Sequence, residues 1–389
     1  MNGPQISPGL FEPLTIKSVT LPNRFVMPPM QRGWSKDNVP DRALADYYVA
    51  RVRGGTGLII GESSAIDHPS ATGQSAAVTL HGDAVPVWAH IVGAVKAAGG
   101  HMLLQLWHEG AMRTRGSNGP APHAPTLSPS GLVWAGRRNG EAATADDLDA
   151  ILDAYVRAAL TAWSIGADGV ELHGAHGFLL DQFCWHETNV RADEHGGEVL
   201  EARLQFPLRV VRAVREAVGP DFLISWRFSQ WKEVDFGARI FDTPSQLQET
   251  LCALRAAGVD LFHASTRRFY MPEWPGSDLG LAGWASACTD APVIRVGSVG
   301  VKDKMFDVPG EPDELDPLAS LGELSRRFDR GDFTLVAVGR ALIGDPDWVN
   351  KVRDGRFDAI RRYDSSMLGT ADWDLALAME GLGRFGIGH

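Results

Sequence analysis

Two histidines three residues apart follow a short apolar run in the middle of the chain. Residues 168–172 have the character of a buried strand, and His173-Gly-Ala-His176-Gly comes directly after them. The glycines let backbone and imidazole rings approach a ligand closely, so we expect a loop that forms part of a binding site. An imidazole at such a place donates hydrogen bonds or carries protons. The plainer interpretation is a pair of loop histidines bonded to backbone carbonyl groups.

Apolar runs of strand length recur along the chain, with helical patterns between them. Strands are predicted over residues 24–27, 58–60, 102–107, 169–172, 222–228, 260–263, 292–296 and 333–338. Helices are predicted over residues 41–53, 85–98, 144–163, 200–218, 244–257, 317–330 and 346–353. This alternation predicts an α/β fold, specifically a (β/α)8 TIM barrel. A doubly wound open sheet is disfavoured because no Gly-x-Gly-x-x-Gly turn follows the first strand.

Two segments lie outside the alternation of strands and helices. Residues 10–21 contain short alternating pieces around Lys17-Ser18 and predict an N-terminal hairpin. Residues 109–143 are rich in Gly, Pro, Ser and Arg, and a loop this long in a compact domain is usually functional or disordered. We therefore predict one domain over residues 1–389, with a lid at 109–143 after the third strand, above the mouth of the barrel.

Polar residues follow nearly every predicted strand. The carboxyl ends of the strands of a TIM barrel face one another at the mouth, which is where its active sites lie. The residues at these ends are Pro29, Met30, Gln31, Ser63, Ser64, Gln105, Trp107, His173, His176, Arg227, 265–268, Gly297, Ser298, Gly339 and Arg340. Each alone is typical of a turn, but together they would place amide, hydroxyl and guanidinium groups around one cavity.

The ends of the last two strands predict an anion site. TIM barrels often bind phosphate with the loops that follow strands seven and eight. Gly297 and Gly339 would let backbone N–H groups approach an anion, and Arg340 could bind its oxygens with two hydrogen bonds. The alternative is a structural Gly-Arg turn with Arg340 in a surface ion pair.

Composition limits the classes of partner. The chain has 389 residues and a net charge of −11, which argues against nucleic acid or an anionic membrane surface as a partner. Its three cysteines, Cys184, Cys252 and Cys288, are scattered and predict a reducing compartment. Neither a leader peptide nor an apolar run of about 18 residues is present, so we expect a cytoplasmic protein without a membrane span. The sequence leaves homo-oligomer formation open.

A longer motif around the two histidines points to a family. The run Glu171-Leu-His-Gly-Ala-His-Gly-Phe-Leu-Leu, followed by Gln182-Phe and Asp193-Glu-His-Gly-Gly, resembles the signature of the Old Yellow Enzyme family of flavin-dependent ene-reductases. The resemblance extends from Leu10-Phe-Glu-Pro to Val338-Gly-Arg. It implies bound FMN, NADH or NADPH as reductant, and a small α,β-unsaturated carbonyl compound as acceptor in a ping-pong hydride transfer.

The resemblance also implies roles for individual residues. His173 and His176 would be the catalytic pair that holds the carbonyl oxygen of the acceptor. The flavin ring would contact Pro29, Met30, Gln31, Ser63, Gln105, His173 and Arg227, and the FMN phosphate would contact Gly297, Ser298, Gly339 and Arg340. The acceptor would contact Trp107, His173, His176, Phe178, Phe269 and Tyr270. No metal site is expected.

Two residues depart from the family pattern. Gln31 stands where Thr or Cys commonly lies beside the flavin O4, so FMN binding is expected to persist while the flavin potential changes. Phe178 stands where a Tyr usually donates a proton. Loss of a general acid typically costs about 10²–10⁴-fold in rate. Tyr270 or water is the expected substitute donor.

The predicted function is therefore an NAD(P)H-dependent flavin oxidoreductase that reduces activated C=C bonds, and several alternatives stay open. Because of Phe178, the acceptor could be a quinone or a nitro compound, or the protein could bind flavin without catalysis. A trimethylamine- or dienoyl-CoA-type flavin dehydrogenase is disfavoured by the scattered cysteines and the end of the chain at His389. A phosphate-sugar lyase would need a Schiff-base lysine inside the barrel, and none of the predicted strands contains a lysine. A metal hydrolase would need a histidine cluster backed by carboxylates, for which His173 and His176 alone are weak support.

Overall fold

Eight parallel strands close into a barrel in the computed structural model, which describes residues 3–302 and 313–367. The strands are β1 Phe25–Met27, β2 Leu58–Ala65, β3 His101–Trp107, β4 Gly169–His176, β5 Leu223–Lys232, β6 Leu261–Ser265, β7 Val293–Val296 and β8 Leu335–Ala337. Each strand pairs with the next, and β8 closes the barrel by pairing with β1 through Val336 and Phe25. The predicted TIM barrel is confirmed. The short strand Val78–Thr79 extends the sheet beside β2.

Helices cover the outside of the barrel. The helices are α1 Ala43–Arg53, α2 Ala84–Ala97, α3 Ala145–Ser164, α4 Leu179–Cys184, α5 Leu200–Arg203, α6 Gln205–Val218, α7 Pro244–Ala257, α8 Leu281–Cys288, α9 Pro317–Asp329, α10 Arg340–Gly344 and α11 Trp348–Arg353. Short 3-10 helices are Pro8–Phe11, Gly110–Met112, Phe357–Ala359 and Ser365–Met367. The sequence analysis did not predict α4, α8 and α10, whose eight or fewer residues are too short for a clear helical period. No described helix combines the length and the apolar content that a bilayer crossing requires.

Local sequence signals fix where two helices begin. Thr144 Oγ1 accepts a hydrogen bond from Asp147 N (3.2 Å), and Asp147 Oδ2 accepts one from Thr144 N (2.8 Å), so the predicted capping signal of α3 is confirmed. The helix predicted over 200–218 divides at Leu204 into α5 and α6. Pro207 lies in the first turn of α6, where its missing N–H leaves no hydrogen bond unmade.

The N-terminal hairpin closes one end of the barrel. Its strands Leu14–Ile16 and Val19–Leu21 are antiparallel, as the sequence predicts. Ile16, Val19 and Leu21 are buried against the apolar side chains inside the barrel. Those interior side chains are Val26, Leu58, Ile60, Leu103, Leu223, Leu261, Ile294, Leu335 and Ala337. The hairpin and this layer form the base of the barrel, so the polar strand ends lie at the other end.

The segment 109–143 is ordered by its own hydrogen bonds. Leu127–Ser128 pairs with Glu141–Ala142, and Leu132–Trp134 pairs with Arg137–Arg138. Inside the segment the buried guanidinium of Arg113 donates to Ala124 O (3.0 Å) and Ala121 O (2.6 Å). Its predicted role as a lid stays a prediction, because none of its described residues lines the cavity at the mouth of the barrel. A further small hairpin, Ser35–Lys36 with Val39–Pro40, precedes α1.

Candidate active site

One cavity opens at the carboxyl ends of the barrel strands. Its walls contain most of the residues that the sequence predicts for a site. These residues are Pro29, Met30, Gln31, Ser63, Trp107, His173, His176, Phe178, Arg227, Gly297, Ser298, Gly339 and Arg340. Residues from every part of the barrel thus meet in one space because all eight strands point toward the same mouth.

Gln105 lies beneath the cavity and is not among its lining residues. Its side chain is fully buried, and Nε2 donates to Glu171 Oε1 (2.9 Å) while Oε1 accepts from Ser63 Oγ (2.5 Å). Ser63 itself lines the cavity. In this geometry Gln105 therefore supports a residue of the wall, and its predicted contact with a flavin stays a prediction.

Glu171 places a negative charge at the centre of the barrel. Ser225 Oγ (2.8 Å) and His263 Nδ1 (2.9 Å) both donate to Glu171 Oε2. Burial by itself raises the pKa of Glu171, but His263, Arg227 and Ser225 outweigh that effect, so the pKa lies below its ordinary value. The anion below the cavity balances the buried guanidinium of Arg227 in its wall.

Phe269 and Tyr270, predicted to contact the acceptor, lie outside the described cavity wall. The backbone N of Phe269 donates to Gly297 O (3.2 Å), and this turns the segment after β6 toward β7. The Phe269 ring packs against the guanidinium of Arg295, with 4.1 Å between the Arg295 Cζ and the ring centroid. The Tyr270 hydroxyl donates to Asp313 O (3.1 Å). This geometry gives no support to Tyr270 as the substitute proton donor.

His173 and His176 lie on a strand and not in the loop that the sequence predicts. The last residues of β4 still pair with β5, and an irregularity between Gly174 and His176 shifts the register there. Side chains three residues apart on a regular strand point to opposite faces, and this irregularity brings both rings to the cavity. Gly174 is required because a Cβ at this position would lie 2.2 Å from the Trp226 ring.

The two imidazoles contact each other inside the cavity wall. His173 Nε2 lies 3.1 Å from His176 Nδ1, and the rings are nearly perpendicular with centroids 5.1 Å apart. Both side chains are buried. Burial, reinforced by the cation of Arg227, lowers the pKa of both rings well below the ordinary value. Each ring is therefore neutral at pH 7 and carries one N–H, which suits donation to an oxygen.

Hydrogen bonds from three directions hold the turn that follows β4. His176 has a φ of +67°, which is uncommon for a residue with a side chain. His176 N donates to Ser229 Oγ (2.9 Å), and Glu233 N donates to His176 O (3.0 Å). Gly177 N donates to Asp181 Oδ2 (2.7 Å). These contacts keep His176 in a backbone conformation that it would otherwise leave.

An ion pair without solvent exposure lies beside this turn, and the sequence analysis missed it. Lys232 Nζ is 2.9 Å from Asp181 Oδ1 and 3.2 Å from Ser229 O. Burial raises the pKa of Asp181 to about 6 and lowers the pKa of Lys232. None of the predicted strands contains a lysine, but β5 continues beyond its predicted end at Phe228 and includes Lys232. Its pairing with Asp181 keeps this lysine from the role that a Schiff-base lyase would need.

Ser265 and Trp231 fix the ring of His176. Ser265 Oγ lies 2.8 Å from His176 Nε2 and 3.4 Å from Arg227 Nη2. The Trp231 indole lies over the His176 imidazole with centroids 4.4 Å apart and planes tilted by 31°. Trp231 Nε1 also donates to Ser265 O (3.2 Å).

Aromatic side chains form the wall next to His173. The Phe178 ring lies 4.8 Å from the His173 ring and 5.3 Å from the Trp107 ring, edge to face in both cases. All three residues line the cavity. A planar apolar group fits between such walls, and Phe178 offers it no hydroxyl.

The predicted anion site lies at the ends of β7 and β8, and we call its residues the anion cradle: Gly297, Ser298, Gly339 and Arg340. Gly297 has a φ of +152°, and a Cβ there would lie 2.6 Å from Thr266 Oγ1, so only glycine leaves this approach open. Arg340 Nη2 donates to Ser298 Oγ (3.0 Å). Ser298 Oγ also lies 3.0 Å from Glu314 Oε1. A guanidinium, a hydroxyl and a close glycine backbone suit a phosphate group.

Several residues of the wall had no predicted role. They are Pro28, Gln74, Trp231, Glu233, Val296, Val299, Val301, Glu314, Ala337 and Ile343. Trp231 and Glu233 were missed because β5 is longer than its apolar run, which ends at Phe228. Ser229-Gln-Trp231-Lys has no regular alternation of polar and apolar residues, so the sequence offers little signal of a continuing strand.

Comparison with known proteins shows the family of this chain. A family model described as the NADH:flavin oxidoreductase / NADH oxidase family matches residues 9–307. The NADH oxidase of Thermoanaerobacter brockii is 34% identical over 373 residues, which are 93% of this chain and 53% of that protein. The putative 12-oxophytodienoate reductase-like protein 1 of Arabidopsis thaliana is 36% identical over 213 residues, covering 53% of this chain and 64% of that protein. The chain thus spans about half the length of the first relative and less than two thirds of the second.

Solved structures resemble the whole barrel. The structure of morphinone reductase in complex with tetrahydroNAD superposes with a TM-score of 0.76 and 29% sequence identity. The superposition covers 93% of this chain and 94% of that chain. The likeness therefore extends over the barrel strands and the helices around them.

Proposed function

Because the chain belongs to the NADH:flavin oxidoreductase / NADH oxidase family, we propose that it is an FMN-dependent NAD(P)H oxidoreductase that reduces activated C=C bonds of α,β-unsaturated carbonyl compounds. One observation carries the proposal: two neutral imidazoles, His173 and His176, line the same cavity as the Arg340–Ser298 anion cradle. Such an enzyme needs hydrogen-bond donors for a carbonyl oxygen and a phosphate-binding site in the same cavity.

The residues of the cavity fit FMN. Gly297 opens the backbone beside Arg340, and Arg227 Nε is a buried donor without a hydrogen-bond partner in the described part of the chain. A buried N–H donor without a partner in the wall suits an acceptor on the polar edge of a flavin ring. We assign the phosphate to Gly297, Ser298, Gly339 and Arg340, and the ring to Pro29, Met30, Gln31, Ser63, His173 and Arg227, with Gln105 holding Ser63 from below. When bound, FMN would supply the two-electron chemistry that links a nicotinamide to the acceptor.

His173 and His176 act as hydrogen-bond donors to the acceptor. Both rings are neutral, so they polarise a carbonyl oxygen without giving up a proton. As negative charge develops on that oxygen, the two N–H groups stabilise it, and one donor of this kind is typically worth about 3–4 kcal/mol. The Trp107 and Phe178 rings beside His173 hold the planar conjugated part of the acceptor.

The proton that completes the reduction comes from water in this proposal. Phe178 has no proton to give, and the Tyr270 hydroxyl is bonded to Asp313 O outside the cavity wall. Hydride transfer to Cβ and proton transfer to Cα are therefore carried out by different groups. Water therefore supplies the proton to Cα, because neither Phe178 nor Tyr270 offers an acid in the cavity.

A second candidate function follows from the same phenylalanine. An acceptor whose reduction is not limited by protonation at carbon, such as a quinone or an aromatic nitro compound, would lose less from the absence of an acid at position 178. His173 and His176 would bind its oxygen in the same way. The aromatic walls would hold its ring.

The two functions are separated by half-reactions. The purified yellow protein is reduced anaerobically with NADH or NADPH, and reoxidation is then followed by flavin absorbance with enones, quinones and nitro compounds. We expect reoxidation by enones with formation of the saturated product. Reoxidation by quinones or nitro compounds alone would favour the second function. A protein that binds FMN but is not reduced by either nicotinamide would contradict both.

A further inference from the structure

We propose that Ser265 is a positioning residue that decides which ring nitrogen of His176 carries the hydrogen. Ser265 ends β6 and is 2% exposed. Its hydroxyl has two neighbours, His176 Nε2 at 2.8 Å and Arg227 Nη2 at 3.4 Å. The consequence for acceptor binding rests on the proposed function, whereas the hydrogen positions follow from these contacts alone.

The direction of both hydrogen bonds follows from which neighbours of Ser265 can donate and which can accept. A guanidinium has only N–H donors, so Arg227 Nη2 donates to Ser265 Oγ. A hydroxyl oxygen could accept a second hydrogen bond, but of the two neighbours of Ser265 Oγ only His176 Nε2 has a lone pair for the hydroxyl hydrogen, so Ser265 donates to Nε2. Because the buried His176 ring is neutral, an unprotonated Nε2 means that Nδ1 carries its hydrogen.

The hydrogen position in the second ring follows in turn. His176 Nδ1 donates to His173 Nε2 across 3.1 Å. While the two rings contact each other, the hydrogen of the neutral His173 ring is therefore on Nδ1, a buried atom with no hydrogen-bond partner within residues 3–302 and 313–367. Donation runs one way, from Arg227 through Ser265 and His176 to His173. An acceptor oxygen bound between the rings would replace this contact, and the neutral His173 ring would then carry its hydrogen on Nε2 and donate it to that oxygen.

This direction determines what His176 offers to a ligand. With hydrogen on Nδ1, the ring presents a donor on the side that faces His173. With hydrogen on Nε2, the same side would present a lone pair, which repels a carbonyl oxygen. A hydroxyl at position 265 thus keeps His176 a donor through the hydrogen bond to Nε2.

Trp231 supports the arrangement from the other side. Its indole covers the His176 ring, with 4.4 Å between centroids, and its Nε1 donates to the backbone oxygen of Ser265 (3.2 Å). One side chain therefore restrains both partners of the Ser265–His176 hydrogen bond. This restraint limits rotation of the imidazole, which would otherwise exchange the two nitrogens.

The test is NMR of the purified flavoprotein with ¹⁵N in its histidine rings, because protonated and unprotonated ring nitrogens differ widely in chemical shift. His176→Asn identifies the signals of this ring by their loss. In the parent protein we expect hydrogen on Nδ1 of His176. Ser265→Ala should move it to Nε2 in a large share of molecules, and Ser265→Thr, which keeps a hydroxyl, should preserve the parent pattern.

Ser229→Ala is the matched control. Ser229 Oγ accepts from the backbone N of His176 (2.9 Å), so this variant disturbs the same histidine through its backbone. The tautomer should stay as in the parent protein. Hydrogen on Nε2 in the parent, or the parent pattern in Ser265→Ala, would overturn the proposal. Should Ser265→Ala not fold, Ser265→Cys serves instead, because a thiol is a weak donor of similar size.

Acceptor binding gives the second measurement. Binding of cyclohexenone to the oxidised flavoprotein, followed by flavin absorbance, should be about tenfold weaker in Ser265→Ala, equivalent to ~1.4 kcal/mol, and close to parent in Ser265→Thr. Equal binding by the parent and Ser265→Ala would overturn the link between hydrogen position and binding. If the parent binds no enone, the proposed acceptor class fails while the NMR result still decides the role of Ser265.

Discussion

Lys232 and Asp181 form an ion pair that neither solvent nor the cavity reaches. Lys232 Nζ lies 2.9 Å from one carboxylate oxygen of Asp181, and Gly177 N donates to the other (2.7 Å). The carboxylate thereby joins β5 and α4 to the turn after His176. One carboxylate side chain thus connects the buried charge of Lys232 with the backbone turn that carries the His176 ring.

Removing one partner of this pair should cost more stability than removing both. Lys232→Met leaves the Asp181 carboxylate buried without its cation, and such a loss costs about 3–5 kcal/mol. Asp181→Asn combined with Lys232→Met leaves no uncompensated charge and should recover part of the loss. Urea unfolding gives the free energy of each variant. A double variant less stable than Lys232→Met alone would contradict the coupling.

His176→Ala should slow reoxidation of the reduced flavoprotein by an enone by about 10²–10³-fold, the usual loss for one oxyanion donor. FMN should stay bound because the anion cradle is intact, and flavin absorbance after gel filtration measures this. His81→Ala, which changes a histidine with 40% of its side chain exposed, is the control. Reoxidation at the parent rate in His176→Ala would remove this histidine from the proposed mechanism.

Phe178→Tyr places a hydroxyl on the ring that contacts His173 and Trp107. If the proton at Cα comes from water, an acid in the cavity should raise the rate of enone reoxidation, within the ~10²–10⁴-fold range of general acids. The solvent deuterium isotope effect on reoxidation should change with it. A slower variant with an unaltered isotope effect would count against water as the donor.

Arg340→Gln should weaken FMN binding. Hydrogen bonds to a charged group are worth about 1.5–3 kcal/mol, so the loss should be roughly 10–100-fold in Kd. Quenching of FMN fluorescence by the apoprotein measures it. Arg137→Gln, on the surface of the 109–143 segment, is the control for loss of a positive charge. Equal affinity in both variants would place the phosphate elsewhere.

Glu109 should make the protein less stable as the pH rises. Burial, partly offset by Thr72 and Gly73 N, raises the pKa of Glu109 from 4.5 to about 7. Between these values the folded state holds a proton that the unfolded chain has released, so the free energy of unfolding falls as the pH increases. The total effect is about 3 kcal/mol. Glu109→Gln removes this dependence, which urea unfolding from pH 4 to 8 measures. The same slope in both proteins would contradict a buried acid.

The sequence predicts what depends on local pattern. Apolar runs between helical segments were enough for the barrel, and Thr144 with Asp147 was enough for the start of α3. The motif around His173 was enough for the family, which the match over residues 9–307 confirms. Strand ends at one mouth explain why so many predicted residues line one cavity.

Features that depend on register could not be predicted. Lys232 and Asp181 are 51 positions apart, and their contact requires β5 to continue past its apolar run. The two histidines share a face only because β4 is irregular after Gly174, where the Trp226 ring leaves no room for a side chain. Phe269 turns toward β7, where its backbone N donates to Gly297 O. None of these contacts leaves a periodic signal in the sequence.

In the described part of the chain, the N-terminal hairpin closes one end of the barrel, and the cavity opens at the other end. Ile16, Val19 and Leu21 fill the base of the barrel, so a ligand enters and leaves the cavity at the carboxyl ends of the strands. Two substrates that bind in the same cavity would exclude each other, so an excess of one would slow the binding of the other. Such competition is observed as substrate inhibition. It would depend in part on Ile16, Val19 and Leu21, because these side chains close the other end of the barrel.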